Sequence, residues 1–199
     1  RDVVDRVIII GEDVVHSCKR FLADLERDDL EFREEDPDTV CTLMETLCVH
    51  RKGEMLDGTP LLGKPLVLEG WEIFIVYNLL GFFYVGTNER RYKEAMIMVG
   101  RKNGKTSFIA ALSFAVSILQ RRSGSTVYVV AAALKQALES FNFLDFSIKY
   151  RKLKDFEVHD NSFEHSIKRT FMKNGVPDGT IDIQIMASNP DAQDSFNYD

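Results

Sequence analysis

The chain has 199 residues, of which 45% are hydrophobic and 28% charged, with a formal net charge of −6. A chain of this length buries roughly 70% of its unfolded surface, so its composition excludes a disordered, fibrous or disulfide-dependent protein. Cys18, Cys41 and Cys48 form no Cys-x-x-Cys pair, which argues against a thiolate zinc site, and the longest apolar stretch, residues 71–85, is interrupted by Glu72 and Asn78 and is too short to span a bilayer.

The absence of a signal peptide pattern makes a soluble intracellular protein the default expectation. The chain opens on Arg1 and stops at Asp199 in mid-pattern, so it reads as a fragment. Its charge is uneven. Residues 24–38 hold nine acids against Arg27 and Arg33, a segment of −7 that leaves the remainder at +1. The acidic stretch reads as a solvated face, and the overall balance says little against a local anion site elsewhere.

In chain order, residues 1–65 read as a helical N-terminal extension and residues 66–199 as an α/β core. Val14, Val15, Cys18, Phe21, Leu22 and Leu25 recur at helical spacing. A second helix is expected from Asp36 as cap, with Pro37 in its first turn and Val40, Leu43, Met44 and Leu47 as its apolar stripe. The glycines and prolines of 50–70 predict a looping connection, followed by a buried helix near 71–83. Ala95–Val99 (AMIMV) reads as a buried parallel strand. A helix over 106–120 then carries Phe108, Ile109, Leu112, Val116 and Leu119 on one side. Residues 126–132 predict a second buried strand and 134–148 a helix. Phe171 suggests a minor strand, and 181–187 alternates as a further one. Strand–helix–strand in this order predicts a parallel sheet flanked by helices, with right-handed crossovers.

The segment Gly100-Arg101-Lys102-Asn103-Gly104-Lys105-Thr106-Ser107 lies between a predicted strand and a predicted helix, the context a phosphate-binding loop requires. Unpaired N–H groups at a helix N-terminus cradle phosphate oxygens. Gly104 frees the backbone to approach closely, Lys105 supplies a point charge to the β- and γ-phosphates, and the Thr106 hydroxyl suits Mg²⁺. Three residues separate Gly100 from Gly104, where the standard pattern has four, so this is a variant loop. The other basic clusters are Arg90-Arg91-x-Lys93, Arg121-Arg122 and Lys149-x-Arg151-Lys152-x-Lys154, each too short to identify a nucleic-acid site alone. His16, His50, His159 and His165 are scattered without metal-ligand spacing.

With its surroundings, the loop resembles that of the large terminase subunits of tailed bacteriophages, in the HK97-like branch. The run Arg101-Lys102-Asn103-Gly104-Lys105-Thr106 is the most specific piece of the resemblance. It is joined by Lys52-Gly53-Glu54, by Pro65-Leu66-Val67-Leu68 leading into Trp71-Glu72, and by Val129–Ala132 followed by Gln136-Ala137. The resemblance implies a P-loop ATPase fold with ATP and Mg²⁺ as cofactors, and an ATP-driven motor that packages double-stranded viral DNA. It further implies a small terminase subunit, a portal and other copies in a ring as partners, and the cytoplasm of a bacterial host as the location.

The residues implied are Gly100 to Ser107 around the phosphates, Thr106 at the metal, and Lys105 and Arg101 in catalysis. Arg101 reads equally as a group that stabilises charge on the γ-phosphate and as one that positions phosphate. Trp71 either stacks on a base or fills the core. Glu72 stands where the family has a glutamine that reads adenine; a carboxylate accepts from the amino group but cannot donate to a ring nitrogen. The family's Asp-Glu strand follows a stretch like Ser188–Asn197, so this chain is expected to stop before the acid that activates water, to lack the nuclease domain and to be inactive alone. Two other readings are a helicase-like nucleic-acid ATPase and a non-catalytic nucleotide-binding prophage remnant.

Overall fold

The computed structural model describes residues 2–188, except residues 6 and 9. It forms two compact units, each stitched from separate stretches of chain. One comprises the residues up to Asp38 together with Glu69–Met98; the other comprises Thr39–Leu68 and the residues from Val99 onward.

The first unit holds helix α1 (Glu12–Asp24), strand β1 (Leu30–Phe32), the start of α2 (Glu35–Leu47), α3 (Gly70–Gly81) and β2 (Phe82–Tyr84). β1 and β2 pair antiparallel, with Leu30 opposite Tyr84 and Phe32 opposite Phe82. Their aromatic side chains make the core. Phe21 meets Phe32 at 5.5 Å and Phe82 at 5.2 Å, both edge-on, and Phe74 at 5.6 Å. Such pairs are worth about 0.5–1.5 kcal/mol beyond the area they bury. Asp24 is buried, ion-paired with Arg91, and accepts a 3.2 Å hydrogen bond from the Tyr92 hydroxyl, so its charge is compensated. α2 begins one residue earlier than the cap expected at Asp36; that carboxylate instead takes Arg90 at 3.0 Å.

The second unit carries the mixed α/β layer. Its elements are α4 (Lys105–Leu119), a 3₁₀ turn (Arg121–Ser123), β3 (Ser125–Ala131), α5 (Leu134–Arg151), β4 (Glu157–Asp160), β5 (His165–Lys173) and β6 (Val176–Ala187). The sheet order is β3-β6-β5-β4. β3 and β6 run parallel, in register from Ser125 opposite Ile181 to Ala131 opposite Ala187; the other two pairings are antiparallel. The sheet therefore contains a parallel pair inside a largely antiparallel frame.

α4 and α5 pack on each other and on β3 and β6. Phe108, Phe114, Phe141, Leu144, Ile167, Ile181 and Ile183 are all buried there. Each such side chain contributes about 1.5–3 kcal/mol of transfer free energy. The opposite face of the sheet is polar, with Lys168 opposite both Asp182 and Glu157.

Two local features set this sheet. Lys173 pairs with Val176, leaving Asn174-Gly175 as a two-residue hairpin with φ of 54° and 80° at its centre. Positive φ at both positions is what the type I′ turn demands, and Asn-Gly is its preferred sequence. At Gly179, φ is 119° and a Cβ would collide with the Arg121 carbonyl, so only glycine lets the 3₁₀ turn lie against β6.

Two expectations are corrected. Residues 95–99 form no strand, and Met96 and Met98 are 86% and 81% exposed. An apolar run becomes a buried strand only with ladder partners, and none of the described strands pairs with it. The buried side of α4 is Phe108, Ala110, Ala111, Phe114, Ala115 and Ile118, whereas Ile109, Leu112, Val116 and Leu119 are half-buried. The helix is apolar nearly all round, so periodicity could not choose its inner face.

Candidate functional site

The loop expected to bind phosphate leads directly into α4. Burial of Phe108 against the core fixes the start of this helix, and residues 101–106 are all exposed ahead of it. The Phe108 N–H donates to the Gly104 carbonyl at 3.0 Å, the helix's opening bond. The N–H groups of Lys105, Thr106 and Ser107 precede that bond and have no carbonyl one turn back within the helix.

The loop backbone alternates in hand. Lys102 has φ of 68° and Gly104 has φ of 70° and ψ of 1°, with Asn103 between them on the negative side. Alternation of left- and right-handed residues turns successive N–H groups toward one concave side, an anion nest. The Asn103 side-chain amide donates to the Gly100 carbonyl at 3.4 Å and ties the ends of the loop together. The electrostatics match: Arg101, Lys102 and Lys105 make no ion pair with any described residue. Three uncompensated cations therefore surround a helix N-terminus that is itself partially positive.

This arrangement fits a nucleotide's phosphate chain. The donors are backbone amides and cations, the concave side is open, and the Thr106 hydroxyl stands in the first turn. No group of three or more His, Cys, Asp or Glu gathers into a metal site among the described residues. A single hydroxyl beside phosphate oxygens is nevertheless a sufficient protein contribution for Mg²⁺, which retains several waters.

Gly100 to Ser107 are thus one continuous structure. Trp71 and Glu72 lie in the first turn of α3, in the other compact unit. Trp71 is 36% exposed and so does not fill the core. Glu72 is buried, and its Oε2 accepts the Glu69 backbone N–H at 2.9 Å, which caps the helix. Burial raises its pKa above the usual carboxylate value. The expected stretch Ser188–Asn197 lies outside the described residues after Ser188, whose N–H extends the β3–β6 ladder by donating to the Ala131 carbonyl at 2.7 Å. The left-handed residue at Lys102 had no sequence signal, because lysine does not mark such positions as glycine or asparagine does. No helix among the described residues is long and apolar enough to cross a membrane.

No curated protein sequence matches the chain. Among solved structures, the large terminase of bacteriophage HK97 is similar in fold, with a TM-score of 0.52 at 15% sequence identity. The match covers 82% of this chain and 29% of that one, so the chain spans under a third of the terminase's length. The family model for the ATPase domain of the terminase large subunit matches residues 70–198, from the start of α3 through the loop at 100–107 and the sheet. The match takes in well over half of the sequence, and the chain belongs to the terminase large subunit ATPase domain family.

Proposed function

We propose that this chain is the nucleotide-binding portion of a motor that hydrolyses ATP to move double-stranded DNA into a viral capsid. The observation that carries the reading is the loop at 100–107, with its alternating backbone, open helix N-terminus and three cations that make no ion pair among the described residues.

In this reading the amides of 102–107 bind the phosphate chain of Mg·ATP, and Lys105 Nζ places its charge on the β- and γ-oxygens. The Thr106 hydroxyl holds Mg²⁺, which when bound neutralises charge on the transferring phosphoryl group. Arg101 positions or stabilises the γ-phosphate, and Asn103 keeps the loop shaped. Phosphoryl transfer needs chiefly positioning and charge stabilisation, which these groups provide. Glu72 is engaged in capping α3. A small terminase subunit, a portal and a ring of like subunits are the partners this role needs, in the cytoplasm of an infected or lysogenic bacterium.

Calorimetric titration with Mg·ATP tests the reading. The chain is expected to bind, Lys105→Ala to lose binding, and Arg101→Ala to retain it in weakened form. Equal heats for the chain and Lys105→Ala would remove the phosphate loop from the account. Steady hydrolysis at ordinary motor rates would show that a water-activating acid lies inside the chain.

A further inference from the structure

We infer that the C-terminal end of α5 and the turn beyond it, carrying Arg151, Lys152 and Lys154, form a contact surface for the phosphate backbone of duplex DNA. The inference rests on the DNA-motor reading above and adds to it the place of contact.

The chain is acidic overall, yet the acids near this end are engaged. Asp145 pairs with Lys149 at 2.7 Å. Asp155 faces Arg169 at 3.9 Å, and that guanidinium also stacks over Phe156 and Phe171 at 4.7 and 4.4 Å. Glu157 stands at the start of β4, with His159 at 3.9 Å. Arg151, Lys152 and Lys154 are exposed and have no acidic partner among the described residues.

Helix stability does not account for Lys152 and Lys154. Cations in a last turn favour the helix dipole, which explains Lys149 and Arg151, but the effect fades beyond that turn. Lys152 occupies the C-cap with φ of 53°, a left-handed position that glycine fills at least cost. A lysine there is held in a conformation disfavoured for residues with a Cβ. Lys154 lies outside the helix altogether.

The turn is also held in one shape. The Leu153 N–H donates to the Ile148 carbonyl at 3.0 Å and the Lys152 N–H to the Lys149 carbonyl at 3.2 Å, so the turn is closed by its own backbone. Buried Leu144 and Ile148 anchor the helix beneath it. A preorganised surface loses less entropy on binding. The three cations come with no Asn or Gln able to read a base edge, which suits backbone contact without sequence preference.

Fluorescence anisotropy with a labelled duplex of about 30 base pairs, titrated with salt, tests this. The variant Arg151→Gln/Lys152→Gly/Lys154→Gln relieves the left-handed strain while removing three charges. Its slope of log affinity against log salt should fall by about 2.7, and its affinity at 0.1 M salt by on the order of 10²-fold. Lys19→Gln/Lys93→Gln, on α1 and in the segment after β2, should leave both unchanged. An equal loss per charge in the two variants would overturn the assignment to α5. If the triple variant does not fold, Lys154→Gln alone, off the helix, should lower the slope by about 0.9, and an unchanged slope would overturn the inference. A chain that binds Mg·ATP but no duplex even at low salt would overturn both this surface and the DNA part of the proposed function, leaving the nucleotide site intact.

Discussion

Gly104 is the residue on which the loop's shape most depends. Its φ of 70° and ψ of 1° lie in the left-handed region, and among the described residues no atom beyond its chain neighbours lies within 4 Å of where a Cβ would stand. Substitution therefore meets no steric wall, and its cost is conformational alone. An alanine held there costs about 1–2 kcal/mol. The lower entropy of its unfolded chain offsets about 0.4–1 kcal/mol of this. A net loss near 1 kcal/mol corresponds to a fall in Tm of about 2–4 °C for a chain of this size. Valine should cost more, because branching at Cβ disfavours positive φ, and asparagine less. The substituted residue can escape the strain by flipping its peptide, which turns the neighbouring N–H out of the nest. Gly104→Val should thus lose Mg·ATP affinity far out of proportion to its stability, while Gly104→Asn keeps most of both. Thermal denaturation read beside calorimetry separates the two effects. A Gly104→Val protein with unchanged Tm and unchanged nucleotide affinity would refute the claim that this backbone conformation builds the site.

Two further outcomes follow from buried groups. Burial pushes the Cys48 thiol up to about 12, so it should resist thiol reagents in the native protein and react only on unfolding, as a timed labelling experiment with and without denaturant would show. Burial also raises the Glu72 carboxyl, so the fold favours its protonated form. That favourable contribution is present below the unfolded carboxyl pKa and is lost as pH climbs through the raised folded value. Glu72→Gln keeps an acceptor for the Glu69 N–H and removes the titration. Its Tm should therefore exceed that of the parent at about pH 8, with the advantage vanishing toward about pH 4. An advantage of equal size at both pH values would show that the ionised carboxylate is not the source.

Much of the second unit was legible in the sequence. The segment at 126–132 has the β-branched composition of a buried strand, and β3 occupies 125–131. The helix at 134–148 and the strand at 181–187 were visible by the same logic, although β6 begins earlier, at Val176. That earlier start was available in Asn174-Gly175, whose flanking apolar residues make it a hairpin signal, and with it β5 could have been placed fully. The three-residue strands β1 and β2 carried no such signal. They are too short for periodicity, and Phe82–Tyr84 merged with the apolar helix before it. The run at 95–99 misled because composition reports burial potential, while a strand also needs neighbours to bond with. For the candidate site, Gly104, Lys105 and Thr106 could be singled out from their types alone. The handedness of Lys102 could not, since it arises from closing the loop between fixed ends.

The most direct test of the central claim is hydrogen exchange of the peptide spanning residues 100–108, measured with and without Mg·ATP. If the amides of 102–107 cradle the phosphates, their exchange slows on adding nucleotide, and Lys105→Ala abolishes the slowing. If calorimetry shows binding while this peptide exchanges at the same rate and protection appears elsewhere, the nucleotide site has been placed in the wrong part of the molecule.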